Sequence, residues 1–165
     1  MEINRVILIG SEGRMGRSLI EVISDGSHFI EIIGIDHIEG KMAPLTADQL
    51  GRAQIAIDFS SPSGTKQLVD VAGECDTPLI IGTTGLGASL EERIRELSER
   101  IPVVRASNFS MGINLLLSLV GTASRVLGED FCPEIMEIHH KMKKDAPSGT
   151  ALSLGDAVLS GRQIA

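Results

Sequence analysis

Tryptophan and tyrosine are absent from this sequence and phenylalanine occurs only four times. That removes the aromatic platforms on which single-strand nucleic-acid binders stack bases, and it requires an aliphatic core. Cysteine is scarce too: Cys75 and Cys132 lie far apart, with no CxxC and no ligand-like spacing, so a reduced, cytoplasmic protein without a metal site is expected. Positive charge is in deficit, 15 Lys and Arg against 22 Asp and Glu for a net charge of −7. A chain of that sign has no whole-molecule attraction for nucleic acid or anionic lipid, so an acidic ligand must meet a local basic patch. The N-terminal apolar run, Val6 to Ile9, meets Gly10 at once and reads as neither a signal peptide nor a membrane span.

What remains is 165 residues, 42% apolar and 22% charged, which suits one folded domain, or one domain and a piece of a second. Short β-branched runs alternate with segments of helical period, the pattern of a parallel sheet covered by helices. Strands are expected at Val6–Ile9, Ile30–Ile35, Ile55–Ile57, Leu79–Ile81 and Pro102–Val104. Ser61 followed by Pro62 marks one helix start, and Ser89 with Glu92 has the spacing of a capping box for another. The segment from Gly40 to Leu50 is the least regular and is expected to be a surface loop. After Asn108 the style changes to a long apolar helix from about Ile113 to Leu127, an alternating strand Glu134–Ile138, and a helix opening at Ser148. The fold class is therefore α/β, a Rossmann-like doubly wound parallel sheet followed by part of an α+β domain. Residues 1–108 are assigned to the first domain and 109–165 to the second.

Gly10, Ser11, Glu12, Gly13, Arg14, Met15 and Gly16 lie between the first strand and its helix, where a dinucleotide pyrophosphate is bound. Glycine serves there because the chain turns sharply and backbone N–H groups must approach phosphate closely. The spacing is GxxGxxG, with Glu12 in the place of the usual second glycine. Asp36 follows Gly16 by 20 residues, close to the position of a carboxylate that accepts from the adenosine ribose. An acid there favours NADH over NADPH, while Arg14 or His37 can neutralise an extra phosphate. A glycine-rich turn that merely ends a strand is the plain alternative. Gly82, Thr83 and Thr84, with Gly85, end another strand at the same edge of the sheet and can offer backbone groups to a flat amide such as nicotinamide. Asp58 to Pro62 is better explained as a helix cap than as a ligand contact.

The stretch His139 to Thr150, HHKMKKDAPSGT, reverses the sign of the chain locally: two histidines and three lysines fall between His139 and Lys144. It leads directly into a helix start bearing Ser148 and Thr150. Lysine charge, hydroxyls and a helix N-terminus suit a carboxylate or phosphate, and histidine is the side chain best placed to exchange a proton near neutral pH.

Taken in order, GSEGRMG, DFSSP, IGTTG, ASNFSMGIN and EIMEIHHKMKKDAPSGTAL resemble the dihydrodipicolinate reductase (4-hydroxy-tetrahydrodipicolinate reductase) family, from the N-terminus to about Leu154. The resemblance implies reduction of a cyclic dicarboxylate by NADH or NADPH in diaminopimelate and lysine biosynthesis. It implies that His139 is the general acid, Lys143 the catalytic lysine, and His140, Ser148, Gly149 and Thr150 the substrate-carboxylate contacts. For the cofactor it implies the Gly10–Met15 loop, Asp36, Gly82–Thr84, and Ala106, Ser107, Asn108 and Phe109. A homotetramer built through the second domain's sheet is the family's assembly. In that family the second domain continues beyond the DAPSGTAL helix, so the chain is expected to lack the family's C-terminal part. A dinucleotide-binding module with weak or no chemistry is the alternative function.

Overall fold

A computed structural model of the chain describes residues 3–26, 30–38, 41–141 and 146–163. They fall into two compact units, Met1–Ala106 and Ser107–Ala165.

In the first unit the order is β1 (Arg5–Ile9), α1 (Arg14–Ser24), β2 (Glu31–Ile35), β3 (His37–Ile38), β4 (Lys41–Met42), α2 (Ala47–Gly51), β5 (Ile55–Asp58), α3 (Pro62–Ala72), β6 (Leu79–Ile81), α4 (Ala88–Ser98) and β7 (Val103–Arg105). The five main strands form one sheet in the order β2-β1-β5-β6-β7, and every pairing in it is parallel. Parallel strands covered on both faces have no polar side to show, so β1 is buried from Val6 to Ile9. The chain leaves β1 for β2 on one side and β5 lies on the other, which makes the β1/β5 border the switch point of a Rossmann-like, doubly wound α/β sheet. Register sets the consequence for function. Ile35, Ile9, Asp58, Ile81 and Arg105 pair in one level row, so the segments that follow all five strands emerge along one edge.

The core is aliphatic: Ile7, Leu50, Leu68, Ala72, Leu79 and Ile81 lie at its centre, and among the described residues no aromatic side chain is buried. Ser61 caps α3 by accepting from the Gly64 N–H at 3.3 Å, with Pro62 in the first turn. Two local expectations are corrected. The helix expected to be capped by Ser89 begins two residues earlier than that cap implies, at Ala88, with Gly87 as its cap at φ +75°. Ser89 therefore sits inside the first turn, and Glu92 pairs with Arg95 instead. Within the segment expected to be a loop, residues 41–50 are not a plain loop: β4 pairs antiparallel with β3, and α2 starts with a Thr46–Gln49 capping box, with Leu50 fully buried in the core.

The second unit holds α5 (Met111–Leu127), a short 3-10 turn (Gly128–Asp130) and α6 (Gly149–Gln163). Ser110 caps α5 through the Ile113 N–H. The two helices cross at glycines; a Cβ on Gly161 would run into the Gly121 carbonyl, and the Ser124 hydroxyl donates to the Val158 carbonyl at 2.9 Å. Away from that contact α5 is exposed, Leu115, Leu119 and Val126 included. By length and composition alone, Met111–Asp130 is apolar enough to cross a membrane. The expected strand Glu134–Ile138 is not formed. The segment carries no strand assignment, because alternation prepares two faces but a strand exists only by pairing, and among the described residues none pairs with it.

Gly16 lies so close to the turn before it that a Cβ would collide with the Gly10 carbonyl and come within 2.7 Å of the Ser11 carbonyl. Those are backbone atoms and cannot move aside. Gly16→Ala is expected to cost about 3 kcal/mol, read as a lower urea midpoint at unchanged slope; a wild-type midpoint would contradict the packing described.

Candidate active site

At the first unit's edge the site is built around the turn after β1. The Gly10 N–H donates to the Ile35 carbonyl at 2.7 Å, and its φ of +84° is a conformation that favours glycine. A Cβ there would also lie 2.6 Å from the Phe59 carbonyl oxygen. Gly13 is the N-cap of α1 and offers no side-chain cap, and no acidic residue stands in the first turn. The helix thus presents its N–H donors and positive end to an incoming anion. Arg14, Met15, Ser18 and Phe59 line a hollow of about 440 Å³ beside it. Of the expected loop residues, Ser11 is buried, its Oγ packed over Gly34. Glu12 is exposed and pairs with Arg17 at 3.1 Å. Its backbone N–H donates to the Asp36 carboxylate at 2.6 Å, so the acid after β2 is held against the glycine loop. These features fit a nicotinamide dinucleotide: a tight glycine turn, an uncapped helix start, and a carboxylate after the second strand held against that turn. The side chain of His37 lies outside the described residues.

The strand β5 ends in Asp58, the first residue of the segment expected to cap the next helix. Asp58 is fully buried. Its Oδ1 accepts from the Ser60 N–H at 3.0 Å and the Ser60 hydroxyl at 2.5 Å, and its Oδ2 accepts from the Thr65 hydroxyl at 2.5 Å. The Ser60 N–H is shared with Thr83 Oγ1 at 2.9 Å, which ties the DFSSP segment to the Gly82–Thr84 turn. Thr83 therefore faces inward while Thr84 is exposed. The Phe59 ring covers Gly82 so closely that a Cβ would strike it. Asp58, Phe59, Ser60 and Thr65 thus shape the edge where the expected Gly82–Thr84 contacts lie. Ala106 ends this unit, its N–H donating to Ile81 at 3.2 Å.

In the second unit, Ser107 and Phe109 are exposed, and Asn108 reaches the start of α6 through a 3.4 Å bond from its Nδ2 to Thr150 Oγ1. Ser148 is the buried cap of α6, its Oγ accepting from the Ala151 N–H at 3.1 Å. Glu137 joins this cap to the histidines: it accepts from the Ser148 N–H at 2.9 Å and lies 2.9 Å from His139 Nε2. The Ser148 hydroxyl, His139 and the Ser148 N–H, in that order, hold the Glu137 carboxyl down at about 2. His140 and Gly149 are exposed. Lys143 lies outside the described residues. The structure thus brings His139, Ser148, Thr150 and Asn108 to one helix end, through a glutamate that the sequence reading did not single out.

A parallel sheet with a glycine turn at its switch point, an uncapped helix and an acid after the second strand defines a dinucleotide-binding protein of the Rossmann class. The family is narrower. The family model described as Dihydrodipicolinate reductase, N-terminus, matches residues 4–109, and that described as Dihydrodipicolinate reductase, C-terminus, matches residues 112–164; the chain belongs to this family. The match to the C-terminal model overturns the expectation that the family's C-terminal part is missing. Among curated relatives, the 4-hydroxy-tetrahydrodipicolinate reductase of Halorhodospira halophila is 41% identical over 169 residues, 92% of this chain and 63% of the relative. That of Acinetobacter baylyi is 35% identical over 171 residues, 93% of this chain and 63% of the relative. The chain therefore spans just under two thirds of the length of these relatives. A solved structure, the dipicolinate-bound dihydrodipicolinate reductase from Paenisporosarcina sp. TG-14, superposes with a TM-score of 0.74 at 19% identity, covering 98% of this chain and 67% of that one, and shares the fold.

Because the folded-state Glu137 lies below its usual value of 4.5, its bonds stabilise the second unit fully above that value and are lost as pH falls through about 2. A carboxyl-carbon NMR titration is expected to place its midpoint near 2; a midpoint near 4.5 would show that Glu137 does not bridge His139 and Ser148.

Proposed function

We propose that this chain reduces 4-hydroxy-tetrahydrodipicolinate to tetrahydrodipicolinate with NADH or NADPH, a step of diaminopimelate and lysine biosynthesis. The observation that carries the reading is the meeting of His139 with the N-terminus of α6 at Ser148, inside the basic stretch HHKMKKDAPSGT. A proton donor beside a carboxylate-binding helix start is the equipment such a reduction needs. Family membership supports it, as does the dipicolinate bound to the Paenisporosarcina relative.

In this reading residues 1–108 hold the dinucleotide, which when bound supplies the hydride. The Gly10–Met15 loop receives the pyrophosphate, Asp36 the ribose, and Gly82, Thr83 and Thr84 the nicotinamide amide, with Ala106, Ser107, Asn108 and Phe109 completing the cofactor set. The Asp36 carboxylate, fixed 2.6 Å from the Glu12 N–H, disfavours a 2′-phosphate and supports NADH as the preferred form. Residues 109–165 supply the rest of the chemistry. His139 gives the proton, Lys143 offsets the negative charge of the substrate, and His140, Ser148, Gly149 and Thr150 take its carboxylates. The reaction belongs to the cytoplasm, and the exposed apolar side of α5 is read as a surface covered by protein in a homotetramer and not by lipid, since its glycine-lined side packs on α6.

His139→Gln and Lys143→Ala are each expected to lower kcat by about 100-fold or more, measured as loss of nicotinamide absorbance with freshly generated substrate. Wild-type turnover in both variants would overturn the assignment.

A further inference from the structure

We infer that Glu137 is a positioning residue for His139: its carboxylate decides which ring nitrogen carries the fixed hydrogen and holds the ring at the N-terminus of α6. The inference rests on the reading of His139 as proton donor and deepens it.

Three donors converge on this one carboxylate: the Ser148 hydroxyl, the Ser148 N–H and His139. The Ser148 N–H reaches Oε1 at 2.9 Å and Oε2 at 3.3 Å, and His139 Nε2 lies 2.9 Å from Oε2. An ionised carboxylate only accepts, so the nitrogen facing it must carry hydrogen. Nε2 is then a donor whether the imidazole is neutral or charged. The proton that comes and goes is left to Nδ1, an acceptor in the neutral ring and a donor in the charged one. The low-lying carboxyl of Glu137 agrees, since it stays ionised wherever a histidine titrates. Glu137 and His139 are two residues apart, and their side chains meet at the 2.9 Å contact between Oε2 and Nε2.

The Ser148 bond adds a second consequence. That N–H belongs to the helix start proposed to receive a substrate carboxylate, and an internal carboxylate already engages it. Gly149 and Thr150 are left as the amides for the substrate. The same contact ties the 134–140 segment to α6, so the proton donor and the helix end are set side by side through one side chain.

A residue that only capped the helix would leave the imidazole tautomer untouched. The test is therefore spectroscopic and kinetic together. In ¹⁵N-labelled protein, with the His139 signals identified by their loss in His139→Gln, mildly alkaline solution makes an imidazole ordinarily neutral. Wild type is expected to show Nε2–H, and Glu137→Gln to shift toward Nδ1–H, because the amide group can donate to Nε2. In turnover, Glu137→Gln is expected to lower kcat by about 100-fold while KM for the dicarboxylate stays within about twofold. Added to His139→Gln, the same change is expected to cost nothing more, since residues acting as one unit are not additive. Nδ1–H in wild type, an unchanged tautomer in Glu137→Gln, or losses that multiply in the double variant would each overturn the inference. Absence of turnover in wild type would overturn the functional reading instead, and the tautomer comparison would still decide the role of Glu137.

Discussion

The turn after β1 and the segment after β5 run so close together that no side chain fits between them. The Phe59 N–H donates to the Ile9 carbonyl at 3.1 Å, and any Cβ on Gly10 would press on the Phe59 carbonyl. This approach exists because β1 and β5 are parallel neighbours at the border where the strand order reverses. Everything on the cofactor edge is positioned from it. The glycine loop can tuck α1 down at Gly16 only because Gly10 has already turned. The Phe59 ring covers Gly82 only because its backbone is pinned to β1. The buried Asp58 then locks the arrangement, taking hydrogen bonds from its own turn and from the first part of α3, while Ser60 reaches across to Thr83. A buried carboxylate held by neutral donors is costly unless every bond is made, so this edge is rigid or absent, with little between.

The second unit solves a different problem with fewer contacts. Its helices meet at Gly121 and Gly161, where bare backbone allows close approach, and most of the apolar surface of α5 faces outward. There the link from His139 through Glu137 to Ser148 joins the 134–140 segment to α6. The same carboxylate can serve a helix end and a histidine because a helix N-terminus and an imidazole N–H make the same demand, a nearby negative charge.

The sheet was legible because its strands are short β-branched runs, four of which end at a glycine or an acid, and β1, β5 and β6 are each followed by a helical period. The failures have equally specific causes. The α2 region carries a capping box, Thr46 and Gln49, but its helix is only five residues long, too short for periodicity to register. Glu134–Ile138 alternates as a strand should, yet alternation says nothing about whether a neighbour is there to pair. The Asp58 network was hidden because its partners lie two, seven and, through Ser60, 23 residues from one another in sequence, a pattern with no period. Glu137 could have been found, since a carboxylate two residues before a histidine in an alternating segment shares its side. The missing C-terminal part was inferred from the resemblance, in which the second domain continues beyond the DAPSGTAL helix, and the match of the C-terminal family model to residues 112–164 corrected it.

Calorimetric titration of the wild-type chain with NADH, followed by a pyridine dicarboxylate, asks whether the cradle at Gly10 and the helix end at Ser148 work as one enzyme. Saturable binding of NADH, and of the dicarboxylate to the NADH-loaded protein, is the expected result. Binding of NADH without the dicarboxylate, or of neither, would contradict it.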